Sequence, residues 1–361
     1  VNGTLAHQAE TLRLARVLGV APEELDFLAG APVAALAELR ATILDRLLER
    51  SRDEFERAVA LAGKIPRGLA ATLAQRAMGP VLGGRAAALL SADMAADLAT
   101  RLPAEFLADV AGHVDLRHVG PLIGGIPTDT MAGAGRVLRQ REEWIVLAAF
   151  VGDVPEAKLE VLLGEFDAEA LLRAAFVLED FSRLDKAITL LPDDRLDELF
   201  AGAHEHELWV EGLSLAIHLG PEQARRIVAA IDGRPDAELD ALLAAAHDHE
   251  LWLEVITVAG QLGDDSAGAA GIVGAIERLP SERVDALLRA ADADGLWAQL
   301  ITVASQLGPQ AAETVLDAVD RLEPPQQTRL AAAINASAEL QAAAAPFTAR
   351  ARPTLRRLIG G

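Results

Sequence analysis

The chain has no cysteine and no tyrosine in 361 residues. The first absence excludes disulfides and thiolate chemistry and agrees with a reducing compartment. The second removes one common acid–base group. Aromatic residues are only 4% of a sequence that is 51% hydrophobic, so Leu, Ala and Val must fill the core. Cationic residues are outnumbered 33 to 54 by acidic ones, leaving a net charge of −21. Nucleic-acid binding needs a cationic surface, so this balance argues against it. The expectation is a soluble cytoplasmic protein. No run of 18 apolar residues occurs, so no membrane span is expected. The opening VNGTLAHQAETLRLAR lacks the basic-then-apolar order of a signal peptide. HExxH and GxSxG are missing as well. The five glycines in VGPLIGGIPTDTMAGAG (119–135) match neither phosphate-loop pattern and read as helix turns or close approaches. Nothing sets a nucleophile beside a base, so the chain is read as non-enzymatic, with no cofactor.

What is present is a repeat. RLDELFAGAHEHELW (195–209), ELDALLAAAHDHELW (238–252) and RVDALLRAADADGLW (283–297) recur at intervals of 43 and 45 residues. Such periods mean stacked supersecondary units. Leu239, Leu242, Leu243 and Ala246 fall at i, i+3, i+4 and i+7, one helical face. Asp236 and Ser281, each after a proline, are expected N-caps. LWLEVITVAGQL (251–262) is apolar all round and reads as a buried helix that Gly263 stops. A third helical run with Ile272, Ile276 and Leu279 completes the unit. Asn335, Ser337 and Leu340 continue the series as a fading terminal copy. Leu159–Leu172 matches upstream at an offset of 37, and Met131–Trp144 fits loosely. The expected fold is all-α: a right-handed α-solenoid or superhelix of two- and three-helix repeats.

The rest of the chain divides into regions. Residues 1–90 carry a continuous helix over 33–62 and a segment, 57–92, that contains Arg57, Lys64, Arg67, Arg76 and Arg85 and no acid. That local reversal of sign suits an anionic ligand, a lipid headgroup or an acidic partner; the alternative is pairing with acids on neighbouring helices. Gly79, Pro80, Gly83 and Gly84 should break the segment into two helices. From Ser91 the text runs SADMAADLATRLPAEFLADVAGHVD. These residues, extending to about Phe166, resemble the cytoplasmic N-terminal domain of the MgtE magnesium transporters. The resemblance implies a superhelix of short helices, each announced by a proline. It does not extend to transport or to a metal ligand, because no nucleotide-sensing module or membrane domain follows. Trp144–Gly152 reads as a buried helix, 156–341 as the solenoid proper, and 342–361, with Arg350, Arg352, Arg356 and Arg357, as a basic tail.

One constellation recurs at a fixed place in the repeat. His204 and His206 correspond to His247 and His249, then to Asp292 and Asp294, with Asp167 and Glu169 upstream. Imidazole and carboxylate suit a divalent metal. The competing reading is a polar helix–helix turn. Trp209, Trp252 and Trp297 follow at once, either to stack a flat ligand or to wedge successive units apart. His7, His113, His118 and His218 receive no role. Three functions remain open: a scaffold that binds a protein on a concave face, a carrier of an apolar or lipidic small molecule with peripheral membrane contact, and a metal-dependent regulator.

Overall fold

Proline sets the helix starts. The computed structural model describes residues 2–178, 180–231, 233–260 and 270–348. Among them, Pro32, Pro66, Pro103, Pro127, Pro155, Pro192, Pro235 and Pro280 each occupy the N-cap of a helix, with ψ between 135° and 159°. The ring fixes φ and the missing N–H costs nothing there. Each carbonyl still accepts the first helical bond, as from Leu36 to Pro32 and from Leu239 to Pro235. The expected caps Asp236 and Ser281 are therefore the first residues inside their helices, one place later than anticipated. No strand occurs among the described residues. No helix there is long and apolar enough to cross a membrane.

The described residues up to Leu190 form one compact unit and those from Leu191 a second. The first contains α1 (Asn2–Leu18), α2 (Val33–Ala62), α3 (Arg67–Leu73), α4 (Gly79–Ala87), α5 (Ala92–Ala99) and α6 (Ala104–Ala111). It continues with α7 (Leu116–Ile123), α8 (Thr128–Gln140), α9 (Trp144–Phe150), α10 (Glu156–Glu165), α11 (Ala168–Phe176) and α12 (Ser182–Leu190). The long helix is unbroken over 33–62, as its sequence required. Leu14, Ala15, Leu25 and Leu36 bury the α1–α2 seam. From α2 onward each helix packs on the next but one: α2, α4, α6, α8, α10 and α12 form one row, with α3, α5 and α7 stacked in another. Residues 156–190 thus pack with the upstream helices. Between α3 and α4 lies a π-helical turn, Ala74–Met78, closed by Gly79 at φ +71°. Gly79 and Pro80 sit at the break. Gly83 and Gly84 sit inside α4, and Gly84 lets that helix touch the His113 backbone: a Cβ there would lie 2.8 Å from the His113 carbonyl carbon.

The second unit contains α13 (Asp193–Glu205), α14 (Trp209–Ala216), α15 (Pro221–Ile231), α16 (Asp236–Asp248), α17 (Trp252–Gly260) and α18 (Ala270–Glu277). After these come α19 (Ser281–Ala293), α20 (Trp297–Ala304), α21 (Pro309–Arg321), α22 (Pro324–Asn335) and α23 (Ala338–Thr348). Here the packing period is three: α14, α17, α20 and α23 stack in sequence, as do α15, α18 and α21. Gly263, the Ile272 side chain and the tail arginines 350, 352, 356 and 357 lie outside the described residues.

All four tryptophans begin a helix after the same turn. The preceding helices, α8, α13, α16 and α19, are each 13 residues long. Each is followed by a left-handed residue: Glu142 (φ 57°), Glu207 (57°), Glu250 (58°) and Gly295 (71°). The next N–H then reaches back five residues: Glu143 to Leu138 at 2.9 Å, and Leu208 to Ala203, Leu251 to Ala246 and Leu296 to Ala291 at 2.8 Å each. This is a Schellman termination, which satisfies the last carbonyls and turns the chain sharply. Three of the four left-handed positions carry Glu, where a Cβ costs about 1–2 kcal/mol. Met131–Trp144 is thus a true copy of the turn. Residues 159–172 are not, because Asp167 caps the start of α11 instead of ending a helix.

Candidate functional site

In the first unit the small inner-facing residues of α4–α11 leave an apolar cavity of about 270 Å³. Its walls include Leu98, Phe106, Ala134, Phe150, Leu162 and Phe166. Thr130 has the only polar side chain in the lining, and no charged residue contributes. The volume is near the lower end of the ~300–1,000 Å³ usual for small-molecule pockets. It exceeds the ~150 Å³ apolar cavity that stays dry yet takes up benzene.

A second cavity, of about 320 Å³, shares Ala111, Val114 and Phe150 as walls with the first. It has the opposite character: Arg13, Arg16, Arg40, Arg85, Arg117 and Arg183 line it, with Asp115, Asp153 and His113. Most of these cations are tied. Buried Glu10 holds Arg13 at 3.2 Å and Arg40 at 2.6 Å, joining α1 to α2. Glu143 holds Arg16. Asp115 and Asp45 hold Arg117 at 2.5 and 2.8 Å. Arg85 makes no ion pair among the described residues. The Arg16 guanidinium lies over Gly112, where a Cβ would come within 2.7 Å of it. His113 sits between Arg16 and Arg85; burial first, then these two charges, push its imidazole below the usual range. Asp109 and Glu143 act in the opposite sense.

The sequence-derived candidates fall out as follows. Of the five cations of the basic segment, only Arg85 reaches either of these cavities. Arg67 pairs with Asp97 at 3.6 Å, Arg57 donates to the Asp53 carbonyl, and Lys64 and Arg76 stay exposed without an ion pair among the described residues. The five cations therefore do not converge. Trp209, Trp252 and Trp297 are at most 7% exposed and belong to the core, so they are wedges and offer no face for a flat ligand. Trp209 packs against Phe200 and His204, and Trp252 against His247, with ring centroids 6.3–6.4 Å apart.

The His/Asp positions are helix ends. His204 and His247 close the last turns of α13 and α16, while His206, His249 and Asp294 are C-caps. No group of three or more metal-ligating side chains occurs among the described residues. Asp292 is engaged elsewhere: it accepts from Trp297 Nε1 at 3.3 Å, Gln326 at 3.2 Å and Arg329 at 2.6 and 2.7 Å. The Arg329 hydrogen bonds hold its carboxyl below the usual range.

Four groups have no signal in the sequence. Glu10 reaches Arg40 thirty residues on, and Arg16 comes over Gly112 beside His113 from nearly a hundred residues away. Glu254 looks like one polar residue in an apolar helix, yet it is 4% exposed and its Oε2 has no hydrogen-bond partner. Burial, and then the charge of Asp294, raise its carboxyl above the usual range. Comparison of the chain with protein-family models, with curated proteins and with solved structures found no match.

Proposed function

We propose that the protein is a non-catalytic carrier of an apolar small molecule, held in the cavity of the first unit. The observation that supports this reading is the cavity lining, apolar but for Thr130. An apolar lining selects for hydrocarbon, because water there would find few hydrogen-bond partners. The metal reading has no ligand cluster among the described residues.

Calorimetric titration with a series of straight-chain alcohols tests it. Expected are one saturable site, a negative heat-capacity change, and affinity rising about fourfold per added methylene until the cavity is full. Ala134→Trp, which projects into the cavity, should abolish binding while the circular dichroism is retained. Absence of binding across the series, or binding indifferent to Ala134→Trp, would overturn the reading.

A further inference from the structure

We propose that the stretch from Leu61 to Leu82 docks the protein on an anionic lipid surface. Ten large hydrophobic side chains are exposed among the described residues, and five lie in these 22 residues: Leu61, Leu69, Leu73, Val81 and Leu82, between 40% and 58% exposed. Single exposed leucines are ordinary, but a group of them is not. Leu69 and Leu73 are spaced i, i+4, which keeps them on one face of α3. The same helix buries Ala70 and Ala71.

Charge selects the partner. The chain from Arg57 to Ala92 has no acidic residue. Lys64 and Arg76 point to solvent, and the nearest acid of the packed helix α5, Asp97, is neutralised by Arg67 and Arg101. Asp93 on α5 is exposed, and so are Asp53, Glu54 and Glu56 on α2, just before the acid-free stretch begins. The protein as a whole is strongly acidic, but at physiological ionic strength screening acts within about 8 Å. At contact the local charges decide, and here they are positive. Aliphatic side chains flanked by cations match an interfacial lipid layer: the apolar groups enter the acyl boundary and the cations meet the headgroup phosphates.

The location adds weight. Ala74 and Gly83, from this same wall, line the apolar cavity on its inner side. A bilayer is the natural reservoir for the ligand proposed above, though the docking itself does not depend on that reading.

The test is co-sedimentation of the full chain with vesicles of phosphatidylcholine alone, or of phosphatidylcholine mixed with phosphatidylserine. At least tenfold stronger partitioning into the mixed vesicles is expected, weakening with added salt. Leu69→Glu with Leu73→Glu should lower it tenfold or more. Lys64→Gln and Arg76→Gln should each lower it about fivefold. All four side chains are exposed, so circular dichroism should be unchanged. The proposal is overturned by equal partitioning into both vesicles or by no sedimentation. It is also overturned if light scattering shows that the Glu variants dissolve a self-associated species, which would make the patch a contact between copies. A negative vesicle result would leave the alcohol titration untouched, so the two readings fail separately.

Discussion

The two units solve the same packing problem with different fillers. In the second unit Trp209, Trp252 and Trp297 begin α14, α17 and α20 and are buried in the core. In the first unit the helices alternate two by two, only Trp144 follows the shared turn, and an apolar cavity lined by aliphatic and Phe side chains is left between them. The 13-residue helix and its Schellman turn occur in both. What differs is how often the turn recurs: once in the first unit, before Trp144, and three times in the second.

The sharpest way to break this comparison is to remove a wedge. Trp252→Ala should cost about 3–5 kcal/mol in urea unfolding; a loss under about 1 kcal/mol would mean that the indole is not the filler. Next in size is a matched pair of insertions. Ala246→Leu, at a site with no exposure, should destabilise by about 1–3 kcal/mol through overpacking. Ala134→Leu should be neutral or stabilising, because it fills empty space, and should weaken alcohol binding.

Glu254 gives a pH test confined to the second unit. Its folded-state pKa is raised, so the stability linked to its protonated form is complete below the unfolded value and is lost as pH rises through the folded one. Glu254→Gln should therefore stabilise at pH 7 by about 1–2 kcal/mol, with the gain vanishing on acidification toward pH 4. A gain independent of pH would show that the carboxylate is not the cause. The smallest effect concerns the shared turn. Glu250→Gly should stabilise by about 1 kcal/mol or less by relieving the left-handed strain, and Gly295→Glu should cost a similar amount. Space does not decide the latter, since nothing lies within 4 Å of a Cβ built at Gly295.

The sequence was legible where the cause was local. Periodic Leu and Ala gave helices, and the spacing of tryptophan gave the repeat. The proline rule was visible too, though the caps were expected one residue too late, at Asp236 and Ser281 instead of Pro235 and Pro280. The left-handed Glu207 and Glu250 were hidden, because Glu carries no turn signal and only Gly295 advertises the conformation. Among site residues, Arg85 was singled out for its place in an acid-free stretch, but for a convergence that the fold does not make. Arg16 and His113 gave no warning, since nearly a hundred residues separate them.

By itself, then, the amino-acid order determined that the chain is helical, where most helices begin, and that one unit recurs, because capping, periodicity and proline geometry act over a few residues. Tertiary structure alone decided where the space is left and which charges surround it. A cavity is the difference between the volume that helices enclose and the volume that their side chains fill. Neither quantity exists until helices distant in sequence have come together.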